Sequence, residues 1–344
     1  MHRILRPIAA AAVAVAALAL SACAPAATAT DAGAAAAAPG DASSFPVTFE
    51  HMYGSTTIEE APTRVATWGW GVTDAVLALG IVPVAMASMD YGGGEDRIAP
   101  WVSDKIEELG GETPVILDNA TYELSVEALL ATDPDVFIAS YSGLTQEEYD
   151  AVTAAGVPVV APEEAIWSTP WRDVITDTGK ALGLESDATA VLADLDQQVA
   201  DQAAEHPEFE GTTIAYASED VDTFYLLLEN DPRVELLTDL GFTSAPSVAE
   251  LATGESTFST TVSSENLDRI DADVVFTQTE TEEQLQTFLT SDRTKLIPAV
   301  SKGAVAALVG EENGAAISPT ALSIPFFLPT LVEQLATATE VANS

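Results

Sequence analysis

The chain has 344 residues, 47% of them hydrophobic and 19% charged, which is enough apolar material for two packed domains. Twelve basic residues stand against 54 acidic ones, and the formal charge of −42 excludes a protein that grips nucleic-acid phosphates and disfavours adhesion to anionic lipid through the protein surface. The single cysteine, Cys23, rules out an intrachain disulfide.

Residues 1–22 read as a secretory signal: Arg3 and Arg6, an apolar run from Ile8 to Leu20, then Leu20-Ser21-Ala22-Cys23. The run is short of the roughly 20 residues that a membrane-spanning helix needs. The Leu-Ser-Ala-Cys string resembles the bacterial lipobox, which implies cleavage before Cys23 and lipidation of its sulfur. The expected location is the extracytoplasmic face of the cell membrane, held by the lipid alone. Residues 23–44 are Ala, Thr, Gly, Pro and Asp with almost nothing bulky, and read as a disordered tether.

Residues 45–170 form the first expected lobe. A strand pair at 46–51 and 56–58 turns at Tyr53-Gly54-Ser55. A strand at 64–67 leads through Trp68-Gly69-Trp70-Gly71 into a helix at 73–79, and 81–87 is the next strand. Tyr91-Gly92-Gly93-Gly94 reads as a flexible loop without the Gly-Lys-Ser/Thr ending of a phosphate loop. Helices at 99–109, 123–132 and 146–155 and strands at 136–139 and 157–161 complete the lobe. Strands alternating with helices imply βα units and parallel pairing.

Residues 171–207 are expected to connect the lobes. Ala188, Val191, Leu192, Leu195, Val199 and Ala203 recur at helical spacing, while Asp194, Asp196, Asp201 and Glu205 take the other face. The stretch reads as one long helix, or as two broken at Gly183, closed by His206-Pro207. The second lobe, residues 208–318, has expected strands at 212–217, 222–228, 273–276 and 303–308, with helices at 232–240, 263–270 and 282–289. Residues 319–344 read as a last helix kinked by Pro325 and Pro329.

The lobes share a repeat. Ser125, Glu127, Leu129, Asp133, Asp135 and Val136 recur as Ser263, Glu265, Leu267, Asp271, Asp273 and Val274. Serine suits a helix N-cap, glutamate the first turn, and Asp-x-Asp the turn into a buried strand. From position alone, both glutamates read equally as capping groups.

The segment from Arg64 to Val84, the stretch from Ser125 to Ala139, Tyr141-Ser-Gly-Leu-Thr-Gln-Glu-Glu-Tyr149, Val157-Pro-Val-Val-Ala-Pro162 and Trp167-Ser-Thr-Pro-Trp-Arg172 together resemble substrate-binding proteins of ABC transporters for iron–siderophores. The second half matches less densely, through Asp231-Pro-Arg233, Asp239 to Phe242, and residues 258–275 and 318–335. The resemblance, over roughly residues 45–340, implies an α/β fold of two Rossmann-like lobes joined by a long connecting helix (a class III substrate-binding protein). It also implies a monomer that hands a ferric siderophore to ABC permease subunits, with no catalysis and no resident cofactor. In relatives that carry vitamin B12 or ferrichrome, one surface glutamate per lobe docks on permease arginines, and Glu127 and Glu265 match those positions.

A ferric chelate with apolar and carbonyl surfaces calls for a wide cleft with aromatic walls and few polar anchors. Trp68, Trp70, Tyr91, Tyr141, Trp167 and Tyr225 are the aromatic candidates, each equally readable as core. Arg172 and Arg233 are candidates because arginine offers a planar donor fork to chelating oxygens, unless a carboxylate already occupies it. Beyond His2, only His51 and His206 exist, too few to converge on a free metal ion, and haem ligation lacks support for the same reason. Cobalamin or haem remains the alternative ligand. A secreted hydrolase is the weakest reading, since there is no Gly-x-Ser-x-Gly or His-Glu-x-x-His. The scarcity of lysine and arginine favours a neutral or cationic hydroxamate chelate over an anionic catecholate.

Overall fold

Hydrophobic runs three residues long are enough for a strand when both faces are covered, and the first lobe is built from them. In the computed structural model, which describes residues 42–220 and 223–344, a hairpin comes first: β1 (Val47–His51) and β2 (Gly54–Ile58). Then follow β3 (Val65–Thr67), α1 (Val72–Ala78), β4 (Ala85–Ala87), α2 (Pro100–Glu108), β5 (Val115–Leu117), α3 (Val126–Leu130), β6 (Val136–Ile138), α4 (Gln146–Ala154) and β7 (Val159–Val160). Their sheet is wholly parallel in the order β5-β4-β3-β6-β7. Pro83, which has no N–H for a ladder, sits in the part of 81–87 that stays outside the strand. Ser125 caps α3 by accepting from the Ala128 N–H, so the helix starts after Leu124. Strand β5 carries only three residues and no alternation, and the sequence pattern does not reveal it.

The stretch 171–207 forms two helices, α5 (Trp171–Leu182) and α6 (Glu185–Glu205). Gly183 ends the first in the left-handed region at φ 67°, where a side chain is disfavoured. The helices pack closely: a Cβ on Gly179 would lie 2.4 Å from that of Ala188.

The second lobe contains β8 (Thr213–Asp220), β9 (Thr223–Leu227), α7 (Pro232–Asp239), β10 (Thr243–Ser244), α8 (Pro246–Leu251), β11 (Ser259–Val262), a 3-10 turn at Ser264–Arg269, β12 (Val274–Thr279), α9 (Glu282–Thr290), α10 (Pro298–Lys302), β13 (Val305–Val309), α11 (Glu311–Ala316) and α12 (Ser323–Ala342). Its sheet runs β11-β9-β8-β12-β13, with β10 also on β8. Pairing is parallel among β8, β12, β13 and β10, but antiparallel for β8–β9 and β9–β11, so the expectation of parallel pairing holds for only part of this lobe. The last helix starts at Ser323 rather than 319. Thr320 and Ser323 bond each other's N–H through their hydroxyls, which fixes the start there. Pro325 therefore falls in the first turn, where N–H groups lack partners anyway, and Pro329 lies inside the helix.

The repeated Asp-x-Asp has one job in both lobes. Asp135 accepts from Thr63 N–H, Thr63 hydroxyl and Arg64 N–H, each at 2.8 Å, and so ties β6 to the start of β3. Asp273 accepts from the Thr213 N–H and hydroxyl at 2.9 and 2.6 Å and ties β12 to β8. One continuous buried cluster links the lobes through the helices, including Val76, Ile175, Leu195, Phe209, Phe276 and Phe327.

Candidate functional site

In an open parallel sheet, loops on either side of the point where strand order reverses part from each other and leave a crevice at the strands' carboxyl ends. In the first lobe that point lies between β3 and β6. The loop after β3 holds Gly69, Trp70 and Gly71, and the loop after β6 holds Tyr141. The Trp70 N–H donates to the Tyr141 carbonyl at 3.0 Å. This approach requires glycine before Trp70: Gly69 has φ 100°, and a Cβ there would lie 2.2 Å from the Tyr141 oxygen.

A cavity of about 380 Å³ opens at this end of the lobe. Its aromatic walls are Trp70, Tyr91, Trp101, Tyr122 and Trp167; Met86, Met89 and Ile98 add apolar surface, and Asp74, Ser88, Asp90, Arg97, Asn119 and Thr320 supply polar groups. Three of the four non-glycine residues with positive φ among the described residues line it: Arg97, Tyr122 and Trp167, at 57°, 60° and 56°. Such conformations persist where surrounding structure imposes them, and they concentrate at binding sites. The Trp70 indole N–H is buried with no acceptor among the described residues.

Polar groups around the cavity are tied down. Arg97 pairs with both Asp90 and Asp118 and donates to the Ser88 hydroxyl at 2.7 Å. Asp74, only 7% exposed, accepts from Trp101 Nε1 at 2.8 Å and from the Thr320 hydroxyl. Burial pushes its carboxyl up, against the pull of these two hydrogen bonds. The loop after β4 reaches the second lobe. Tyr91 rests on Gly314 of α11, where a Cβ would lie 2.5 Å from its hydroxyl, and Gly92 sits against Glu311 and Ala315. The triple glycine that reads as a flexible loop is thus a close inter-lobe contact.

Across the cleft, β8 and β12 present Tyr216 and Gln278, whose side chains bond at 2.7 Å. Arg233 stands 5.5 Å from the Tyr216 ring. Its fork is engaged by Asp231, the N-cap of α7, at 2.8 and 2.7 Å. Tyr141 faces this pair: burial first and the Asp231 carboxylate second push its hydroxyl up, and Arg233 opposes them.

Of the residues singled out in the sequence, Trp70, Tyr91 and Trp167 line the cavity, Tyr141 packs edge-on against Trp167 at 5.8 Å, and Arg233 faces Tyr141. Trp68 is 2% exposed and packs in the first-lobe core. Tyr225 lies on β9 between β8 and β11, away from the cavity lining. Arg172 stacks on Trp171 at 4.2 Å and bonds Glu235 at 2.7 Å, Asp196 at 3.1 Å and Asp239 at 3.2 Å, fastening α5 to α6 and α7 instead of facing the cavity. Trp101, Tyr122, Asp74 and Thr320 line the cavity without having been singled out. The first, third and fourth are read from sequence as ordinary helix or turn residues, and Tyr122 stands in a stretch without periodicity.

Glu127 and Glu265 are both exposed, and neither has a hydrogen-bond or ion-pair partner among the described residues. Glu127 is the second residue of α3 while the cap bond goes to Ala128, so no capping box forms there. His51 bonds Thr56 and packs on Tyr149, and His206 pairs with Glu208 and stacks on Phe209. No group of three or more His, Cys, Asp or Glu able to hold a metal ion occurs among the described residues. Cys23 and the stretch 1–22 expected to be a signal segment lie outside the described residues, among which no helix is long and apolar enough to cross a membrane.

Two α/β lobes on connecting helices, with a cavity at a sheet's switch point, define a class III solute-binding protein. The chain belongs to the periplasmic binding protein family, whose profile matches residues 65–311. A crystal structure of Streptococcus pneumoniae TIGR4 PiaA in complex with ferrichrome superposes with a TM-score of 0.76 at 32% identity, covering 86% of this chain and 99% of that one. A second structure describes the same protein as an iron uptake ABC transporter substrate-binding protein; it gives 0.72 at 30% identity, covering 86% and 100%. Among Bacillus subtilis proteins, the probable siderophore-binding lipoprotein YfiY is 29% identical over 243 residues, 68% of this chain and 69% of its own. The Fe(3+)-citrate-binding protein YfmC is 28% identical over 223 residues, 65% of each chain.

Proposed function

We propose that this protein captures a ferric siderophore outside the cytoplasm and delivers it to an ABC permease. The observation that carries the reading is the aromatic cavity at the first lobe's switch point, with its strained Tyr122 and Trp167 and the unpartnered indole N–H of Trp70. An iron chelate presents ring-like apolar faces and carbonyl oxygens, and these walls match it in shape and polarity. PiaA with ferrichrome and YfiY support the same ligand class. The role is binding without catalysis, the iron travels inside the chelator as cargo, and no cofactor of the protein's own takes part.

Lipidation of Cys23 would hold the protein on the outer face of the membrane, with the remainder monomeric. Glu127 and Glu265 are the permease-docking pair in this reading. In a lobe of this topology the helix before a parallel strand runs against it, so the start of α3 lies at the cleft end of the sheet. The repeat places Glu265 likewise.

Titration with a ferric trihydroxamate tests the function. Three of the five tryptophans line the cavity, so their fluorescence is expected to fall steeply with a single-site curve. No quenching by hydroxamate, catecholate or citrate chelates of iron overturns the reading. The double variant Glu127→Ala, Glu265→Ala is expected to keep its affinity and lose most uptake; lost affinity contradicts the docking role.

A further inference from the structure

The loop between β4 and α2 is built as a stiff arm. The Met89 N–H donates to the Arg97 carbonyl at 2.8 Å and the Ile98 N–H to that of Gly93 at 3.0 Å, so residues 89–98 close on themselves. Gly93 makes this possible, since a Cβ there would lie 2.1 Å from the Met89 oxygen. The Arg97 side chain ties the base of the arm to Asp90, Asp118 and the Ser88 hydroxyl. Met89, Asp90, Tyr91, Arg97 and Ile98 all line the cavity, so the arm runs along its edge. Its tip is held differently. Tyr91 and Gly92 reach α11 of the second lobe and meet it at small residues. A Cβ on Gly92 would lie 2.7 Å from that of Ala315, and one on Gly314 would lie 2.5 Å from the Tyr91 hydroxyl. Yet among the described residues no hydrogen bond or ion pair joins residues 89–98 to α11. The arm is fastened to its own lobe by hydrogen bonds and charge, and touches the other lobe by packing alone. Such contacts are individually weak, and they part without leaving a polar group unpaired.

We propose, resting on the siderophore reading above, that this arm is a latch: Tyr91 and Gly92 close the inter-lobe edge of the cavity against Gly314 and Ala315, and the lobes must part at this seam for a ligand to enter or leave. The moving part is the seam, because the arm itself is tied down. A latch acts on rates. It slows entry and exit alike, whereas a side chain that merely touches the ligand acts mainly on exit.

Two variants of the full chain test it, read by stopped-flow tryptophan fluorescence with ferrichrome as the probe. Gly314→Ala removes the seat. The nearest atoms to the new Cβ all belong to the Tyr91 side chain, so the tip must lift, while α11 is already helical there and tolerates alanine. Association and dissociation are both expected to quicken about fivefold or more, with Kd held within about threefold. Gly92→Cys with Ala315→Cys locks the seam, in a Cys23→Ser background that leaves the new pair as the only cysteines. The two Cβ positions stand about 1 Å inside the usual disulfide separation, so the bridge forms with the lobes in contact. Oxidation is expected to slow both rates about tenfold or more, and reduction of the same protein to restore them. Equal rates in the oxidised and reduced forms overturn the latch. Unchanged rates in Gly314→Ala overturn it too, as does a loss of affinity there through faster dissociation alone, which marks a packing contact. Should the pair not oxidise, Gly314→Ala decides by itself. If ferrichrome does not bind, other iron chelates test the siderophore reading, and acrylamide quenching of the cavity tryptophans tests the latch without a ligand. Quenching is expected to be stronger in Gly314→Ala than in the parent, and equal quenching overturns the latch.

Discussion

The two switch points of the molecule share a scaffold and differ in what they display. In each lobe, an aspartate at the start of one central strand ties down the threonine before or at the start of its neighbour, Asp135 to Thr63 and Asp273 to Thr213. Above β3 and β6, however, the loops are glycine-rich, left-handed in places and hung with tryptophan, and they enclose a cavity. Above β8 and β12 the side chains bond one another: Tyr216 to Gln278 and Arg233 to Asp231. Among the described residues, Thr320 is the only cavity-lining residue from beyond the first lobe and its loops. Binding surface is therefore concentrated on one lobe, and the other supplies a preorganised polar face opposite it.

Two tryptophans of the first lobe, one packed in its core and one on the cavity wall, sharpen that contrast most. Trp68→Ala is expected to destabilise the fold by about 3–5 kcal/mol in urea denaturation, because it empties a fully packed site. Trp167→Ala is expected to change stability little and to weaken ferric-chelate binding at least tenfold, about 1.4 kcal/mol. Trp70→Ala also weakens binding, with some loss of stability from its partial burial. Equal effects of Trp68→Ala and Trp167→Ala on binding alone would break the comparison.

Gly69→Ala comes next. Its Cβ collides with the Tyr141 carbonyl in a backbone conformation that disfavours side chains, and a loss of about 2–4 kcal/mol is expected. Gly80→Ala, with positive φ but open space, is the control and is expected to cost about 1 kcal/mol. Similar midpoints for the two variants would mean that the β3 and β6 loops do not need their close approach.

Arg172→Ala is expected to cost about 1 kcal/mol, reduced in high salt, since its side chain is part-exposed and its three carboxylate partners then repel. Ligand affinity at constant salt should stay within threefold. A larger loss of affinity would return Arg172 to the binding surface.

An effect seen only as pH changes lies in the connecting helices, away from both switch points. Asp177 on α5 is pushed up to about 6, by burial first, then by Asp173, with Lys180 opposing and Glu163 adding to the rise. A carboxyl raised in the folded state favours folding less as it ionises, so stability is lost as pH rises from about 4 to about 6. Asp177→Asn should match the parent below pH 4 and exceed it by roughly 1–2 kcal/mol above pH 6. Binding at neutral pH is expected to be unchanged.

Much of this was legible in the sequence. The βα alternation, the Asp-x-Asp repeat and the Trp68–Gly71 turn each led to the element that forms there. Gly183 marked the break between α5 and α6. What stayed hidden depends on contacts distant in sequence. β5 is too short to carry a period of its own. The antiparallel β9 and β11 in the second lobe follow a pattern that does not say which edge they join. Whether Trp68 or Trp70 faces the cavity depends on how the chain turns at Gly69, and only a backbone shows that Trp68 still follows the strand. Arg172 looked like a ligand anchor because arginine is rare here, yet its carboxylates lie 24, 63 and 67 residues away. Asp74 and Thr320, separated by 246 residues, meet only when the segment leading into α12 reaches α1 of the first lobe.

The most direct test is a crystal structure with a ferric trihydroxamate, in which anomalous scattering fixes the iron. One iron site is expected beside Trp70, Trp101 and Trp167, inside the loops of the first lobe, with Tyr216 and Arg233 facing it from the second. Iron seated against Tyr225, or held mainly by second-lobe side chains, would contradict the asymmetry between the two switch points.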